Sequence, residues 1–136
     1  MLRLLNKDAS RKKERFFTIS GRGFSEKIPD IIKEIRKKHE DYNGAVSSVY
    51  GFTEDFSPLY GGRPFRPGVT YKQLNTLYDN GVSFDLCLTN HFFEYKYFKE
   101  TKHILEKLHV DGNSVVCLND QLAEVIKNEF PKFSLK

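Results

Sequence analysis

Asn90-His91 is the most chemically capable pair in the sequence. Histidine changes charge near neutral pH, so at the end of a strand His91 suits a general acid, a general base or a metal ligand. The competing role is a structural ring bonded to a backbone carbonyl. His39, His103 and His109 fall on helical stretches or their ends and read as solvated, so no second histidine stands at ligand spacing and no metal is expected. Asn119-Asp120 is a second amide-bearing pair. Asp120 reads as the cap of a following helix, which leaves Asn119 free, and with Asn90 it could read sugar hydroxyls or an amide. Glu54 and Asp55 could form paired carboxylates, or simply be solvated charges on a loop.

Three arginines could hold an anion. Arg22 lies in "SGRG" (20–23), where glycines leave backbone N–H groups open beside an expected helix start. Arg63 and Arg66 lie in "LYGGRPFRPG" (59–68), a stretch stiffened by proline, which Phe56, Tyr60 and Phe65 can pin by packing. Tyr50 opens the same connection. Each has a plainer role as well, a tight turn or a connector with exposed arginines. Cys87 and Cys117 sit inside apolar runs without CxxC spacing and read as buried thiols of a reducing compartment, not as nucleophiles or cluster ligands. No cofactor motif is legible.

These residues must be positioned by the elements between them. Strand signals occur at "FFTIS" (16–20), "AVSSVYG" (45–51), "FDLCLTN" (84–90), "SVVCLN" (114–119) and "KFSLK" (132–136), most of them following a turn dipeptide such as Asn80-Gly81 or Asp111-Gly112. Helical stripes alternate with them. Ile28, Ile31, Ile32 and Ile35 share one face over 26–39, with Ser25 as a candidate cap. Thr70 and Gln73 make a capping box ahead of Tyr71, Leu74, Leu77 and Tyr78, and Gly81 stands where a C-terminal cap belongs. Phe98, Thr101, Ile104, Leu105 and Leu108 form a third stripe; Leu122, Val125 and Ile126 a fourth, ended by Pro131.

The order β-α-β-α-β-α-β-α-β predicts an α/β fold with a parallel sheet of five strands and four helices. Two architectures fit: a partial (β/α)8 barrel, whose complete form needs about 250 residues, or a flavodoxin-like doubly wound sheet. A chain stopping inside a fifth strand favours the partial barrel. Either one gathers functional groups at the carboxyl ends of the strands, which makes His91 the candidate catalytic residue and Arg22, Tyr50, Arg63, Arg66, Asn90 and Asn119 the candidate substrate-binding residues. The connection at 51–69 is oversized for a βα loop, which usually takes about two to six residues.

The stretch "FDLCLTNHFFEYKYFKETKHILEKLHVDGNSVVCLNDQLAEVIKNEFPKFSLK" (84–136) resembles the early strands of barrels related to the collagenase-like peptidases. There, an Asn-ended strand precedes a helix, and the next strand leads into an Asp and a helix reading roughly "xLaexIrxxxP". The resemblance implies a barrel fold and says little about reaction. The peptidase signature has no counterpart here, nor do the several cysteines that hold an iron–sulfur cluster in some relatives.

Composition bounds the partners. Net charge is +4 with 29% charged residues, a mild bias towards a small polar or anionic molecule. The excess lies largely in residues 1–15, a basic segment ahead of a single α/β domain at 16–136. "RKKERFF" places basic residues beside aromatics, yet no nucleic-acid-binding motif appears and later segments are not patterned for one. No run approaches the ~20 apolar residues of a membrane span and no secretory leader is legible, so a cytoplasmic location is expected. A fifth strand at the sheet edge could also pair with a partner chain or a second copy. Enzyme and non-catalytic binding module both remain open.

Overall fold

Helices form along the apolar stripes, two of them behind a side-chain cap among the described residues. The computed structural model describes residues 16–21, 27–38, 45–61 and 68–136; the basic segment 1–15, Arg22, Ser25, His39, Arg63, Phe65 and Arg66 lie outside them. Among the described residues the chain runs β1 (Phe16–Ser20), α1 (Ile28–Lys38), β2 (Ala45–Gly51), α2 (Tyr71–Asp79), β3 (Ser83–Leu88), α3 (Tyr95–Leu108), β4 (Ser114–Cys117), α4 (Asp120–Glu129) and β5 (Ser134–Leu135). Thr70 caps α2: its hydroxyl accepts from Gln73 N while Gln73 Oε1 accepts from Thr70 N, the reciprocal box its sequence predicts. Gly81, at φ +72°, follows as the left-handed stop. Of these helices none is long and apolar enough to cross a membrane.

One cap differs from expectation. Asn119, not Asp120, is the N-cap of α4, its Oδ1 accepting from Gln121 N at 2.9 Å and Leu122 N at 3.1 Å. Asn119 has the extended backbone (φ −117°, ψ 126°) that a cap requires, whereas Asp120 is already helical and only adds negative charge to the first turn.

All four neighbouring strand pairs are parallel, in the order β1-β2-β3-β4-β5. The sheet never reverses direction, so it lacks the switch point of the doubly wound order weighed as an alternative. Parallel crossovers are right-handed, and a succession that always steps the same way sets every helix against the same face. Apolar strand residues alternate onto that face: Phe84, Leu86 and Leu88 of β3 are fully buried, as is Val115 of β4, in one core with Ile28, Ile32, Leu74, Leu77, Phe98, Ile104, Leu105, Leu122 and Ile126.

"AVSSVYG" does not alternate, and the register explains why. Pairing jumps from Phe17↔Val46 to Thr18↔Ser48, leaving Ser47 as the extra residue of a bulge. Val46 and Val49, three apart, therefore both turn to the core, at 1% and 0% exposure. Ser48 and Tyr50 turn the other way, alongside Thr18 and Ser20 of β1, Asp85 and Cys87 of β3, Ser114 of β4 and, past β5, Lys136. The helix-free face is thus the polar one.

Candidate functional site

The carboxyl ends of parallel strands lie on one rim, and part of the expected constellation meets there. Tyr50, near the end of β2, is 41% exposed and pairs in register with Ser20 and Asp85. Asn90 and His91 follow β3, Asn119 follows β4, and Asn119 Nδ2 reaches the His91 carbonyl at 3.5 Å. Arg22, Arg63 and Arg66 lie outside the described residues.

The two asparagines are committed to the fold. Asn90 Nδ2 donates to the Pro58 carbonyl at 2.9 Å, its Oδ1 accepts from Phe92 N at 3.1 Å, and its own N donates to the Leu59 carbonyl. It ties the connection after β2 to the end of β3. Asn119 Oδ1 is used up as a cap. His91 is exposed, and no hydrogen bond holds its imidazole among the described residues. Among the described residues, Tyr50 and His91 are thus rim side chains that no hydrogen bond or ion pair commits to the fold. Phe92 (78% exposed) and Leu118 (58%) flank them as apolar surface.

The long connection is partly core. Thr53, Ser57, Leu59 and Tyr60 are buried; Ser57 and Thr101 share a hydroxyl–hydroxyl bond at 2.5 Å, and Tyr60 stacks on Phe52 at 4.5 Å. Tyr60 pins the segment as expected, whereas Phe56 is largely exposed and meets Tyr60 edge-on. At the far foot, a Cβ on Gly68 would collide with the Thr53 carbonyl, so only glycine allows Val69 to bridge Thr53. Glu54 and Asp55 do not pair as a catalytic couple. Glu54 Oε1 accepts from Tyr71 N at 3.0 Å; Asp55 Oδ2 accepts from Tyr71 Oη at 2.8 Å and lies 3.7 Å from both His103 Nε2 and Lys107 Nζ. These contacts clamp the connection to α2 and α3. Burial, then the bond to Asp55, pushes the Tyr71 hydroxyl far up from its ordinary value, so it stays protonated and donating.

Three further polar groups escaped sequence reasoning. Asp85, 3% exposed, accepts from Ser48 Oγ at 2.8 Å, from Ser114 Oγ, and from Lys136 Nζ at 3.2 Å, while Thr18 Oγ1 and Ser48 Oγ share a bond at 2.7 Å. A carboxylate inside "FDLCL" was the available signal. Asn113, 1% exposed, joins Phe84 N, Tyr78 Oη and the Leu108 carbonyl. His109, read as solvated, accepts from Lys132 N at 3.0 Å and packs edge-on against Phe130. Both thiols, expected to be buried, are only half-buried, yet partial burial first, then the Asp85 charge for Cys87 and the Asp120 charge for Cys117, pushes them up and away from thiolate. No group of three or more His, Cys, Asp or Glu that could hold a metal occurs among the described residues.

Comparison with family models, with curated proteins and with solved structures yields no match.

Proposed function

We infer that this chain is a barrel-type α/β protein, or one arc of such a barrel, that binds a small polar or anionic molecule at the carboxyl ends of its strands. The observation that carries the reading is the unreversed strand order. It leaves one face of the sheet free of helices and makes that face polar, as the inward face of a barrel mouth is used. Tyr50 and His91 supply the uncommitted rim groups. Asn90 and Asn119 contribute by fixing the turns that carry His91, through their backbone contacts. Arg22, Arg63 and Arg66 are the anion-binding groups of this reading. In an enzyme of this design, His91 is the residue that moves protons.

Titration with inorganic phosphate, followed by amide NMR, tests it. Saturable shifts at Tyr50, His91 and Asn119, weakened in Arg63→Ala and Arg66→Ala, are the expected result. Shifts confined to other surfaces, or none at all, would overturn the anion-binding reading.

A further inference from the structure

Asp85 is a charge where stability alone asks for none. Its strand neighbours Phe84 and Leu86 are fully buried, and an apolar residue at such a place usually serves a fold as well as a buried ion pair. The carboxylate is instead met by three donors of two kinds. Ser48 Oγ and Ser114 Oγ, on the strands either side and each 2% exposed, donate one to each oxygen. They are held by the sheet and carry no charge. Among the described residues the only cation within salt-bridge reach is Lys136, whose Nζ stands 3.2 Å from Asp85 Oδ2.

The two halves of that ion pair are unequal. The Asp85 side chain is 4% exposed and the Lys136 side chain 52%. The acceptor is fixed by three strands, while the ammonium arrives from the solvent side on a flexible stem. The Lys136 backbone is separately secured, its N donating to Val115 O at 2.9 Å and its O accepting from Cys117 N at 3.2 Å. Withdrawing the side chain therefore need not release the strand. It would open a rigid carboxylate to solvent, with both flanking hydroxyls already aimed.

We propose that Asp85, Ser48 and Ser114 form a recognition site for the primary ammonium group of a ligand, and that Lys136 occupies this site from within the chain as a displaceable, tethered competitor. The geometry selects among cations. Each carboxylate oxygen already accepts one serine hydroxyl, so each keeps one acceptor direction, and Nζ takes the one at Oδ2. A compact R–NH3+ fits that direction. A quaternary ammonium has no N–H to offer and does not. Tethering gives Lys136 a high effective concentration, so an external amine binds the unaltered chain only weakly. The site lies on the helix-free face beside Tyr50, its register partner, and differs from the rim reading in taking a cation rather than an anion.

The test uses Lys136→Met, which keeps an apolar stem and removes the charge. Methylammonium should raise the melting temperature of this variant saturably by several degrees, while tetramethylammonium at equal ionic strength should leave it unchanged. The gain should vanish in Asp85→Asn/Lys136→Met. Equal responses to both cations, or a gain surviving in the double variant, would overturn the proposal. Should Lys136→Met not fold, the unaltered chain answers by NMR. Methylammonium at high concentration should shift Lys136 and Ser114 signals saturably, tetramethylammonium at the same concentration should not, and no selective shift would overturn it. Phosphate is read at Tyr50, His91 and Asn119 and methylammonium at Ser114 and Lys136, so the two readings fail separately.

Discussion

Asn113 shows what one amide can hold. Its Oδ1 accepts from Phe84 N at 2.8 Å, and its Nδ2 donates to Tyr78 Oη at 2.8 Å and to the Leu108 carbonyl at 2.9 Å, so a single buried side chain joins β3, α2 and α3. Replacing it with Ala strands buried polar groups that water cannot reach. The expected cost is about 3 kcal/mol, seen in urea unfolding as a lower midpoint with an unchanged slope. A second prediction concerns protons. Burial pushes Cys87 and Cys117 up from the ordinary 9.0 and Tyr60 and Tyr78 up from 10.0, and Tyr71 is raised as well. For each group the folded chain holds its proton more tightly than the unfolded chain does. The stability this contributes is complete below about pH 9, under the unfolded values, and is lost as pH rises through the folded ones. Unfolding midpoints measured from pH 8 to 11 should stay level to about pH 9 and then fall, with tyrosinate absorbance appearing as the chain unfolds.

Among the elements, α4 gives the sharpest test, because sequence and structure disagree about its cap. Asp and Asn are comparably good N-caps, so "LNDQL" leaves the choice to the backbone, and the preceding strand decides it by delivering Asn119 in an extended conformation. Asn119→Ala should cost about 1 kcal/mol, and Asp120→Ala only a few tenths; chemical denaturation of the two variants decides between the caps. The capping box of α2 was readable because Thr70 and Gln73 identify each other at a fixed spacing. Other features needed partners that sequence does not reveal. The bulge at Ser47 exists only relative to β1, and Asp85 has a role only once Ser48, Ser114 and Lys136 lie beside it. His91 stood out by residue type. What the sequence did not show is that Asn90 and Asn119, its expected companions, would be consumed by Pro58, Phe92 and the start of α4.

At the scale of the molecule, alternation announced a parallel sheet but not its order, since one crossover length serves a strand docking on either edge. The order matters for more than topology. With β1-β2-β3-β4-β5, β3 is central, paired on both sides, and contributes Phe84, Leu86 and Leu88 to the core, whereas β5 spans only Ser134–Leu135 at an edge. Three backbone bonds join the two ends of that edge to the sheet: Ser134 N to Asn113 O, Lys136 N to Val115 O, and Cys117 N to Lys136 O. Opening β5 therefore breaks few bonds and exposes Leu135, already 37% accessible, while opening β3 dismantles the core. Native-state hydrogen exchange should separate the two. Amides of Leu86 and Leu88 should exchange only through global unfolding, and those of Lys136 and Cys117 through a local opening at least about 100-fold more frequent, a gap of roughly 2.7 kcal/mol. Denaturant should accelerate the first pair steeply and leave the second nearly unaffected. Equal rates and equal denaturant slopes would instead make β5 part of one cooperative unit with β3.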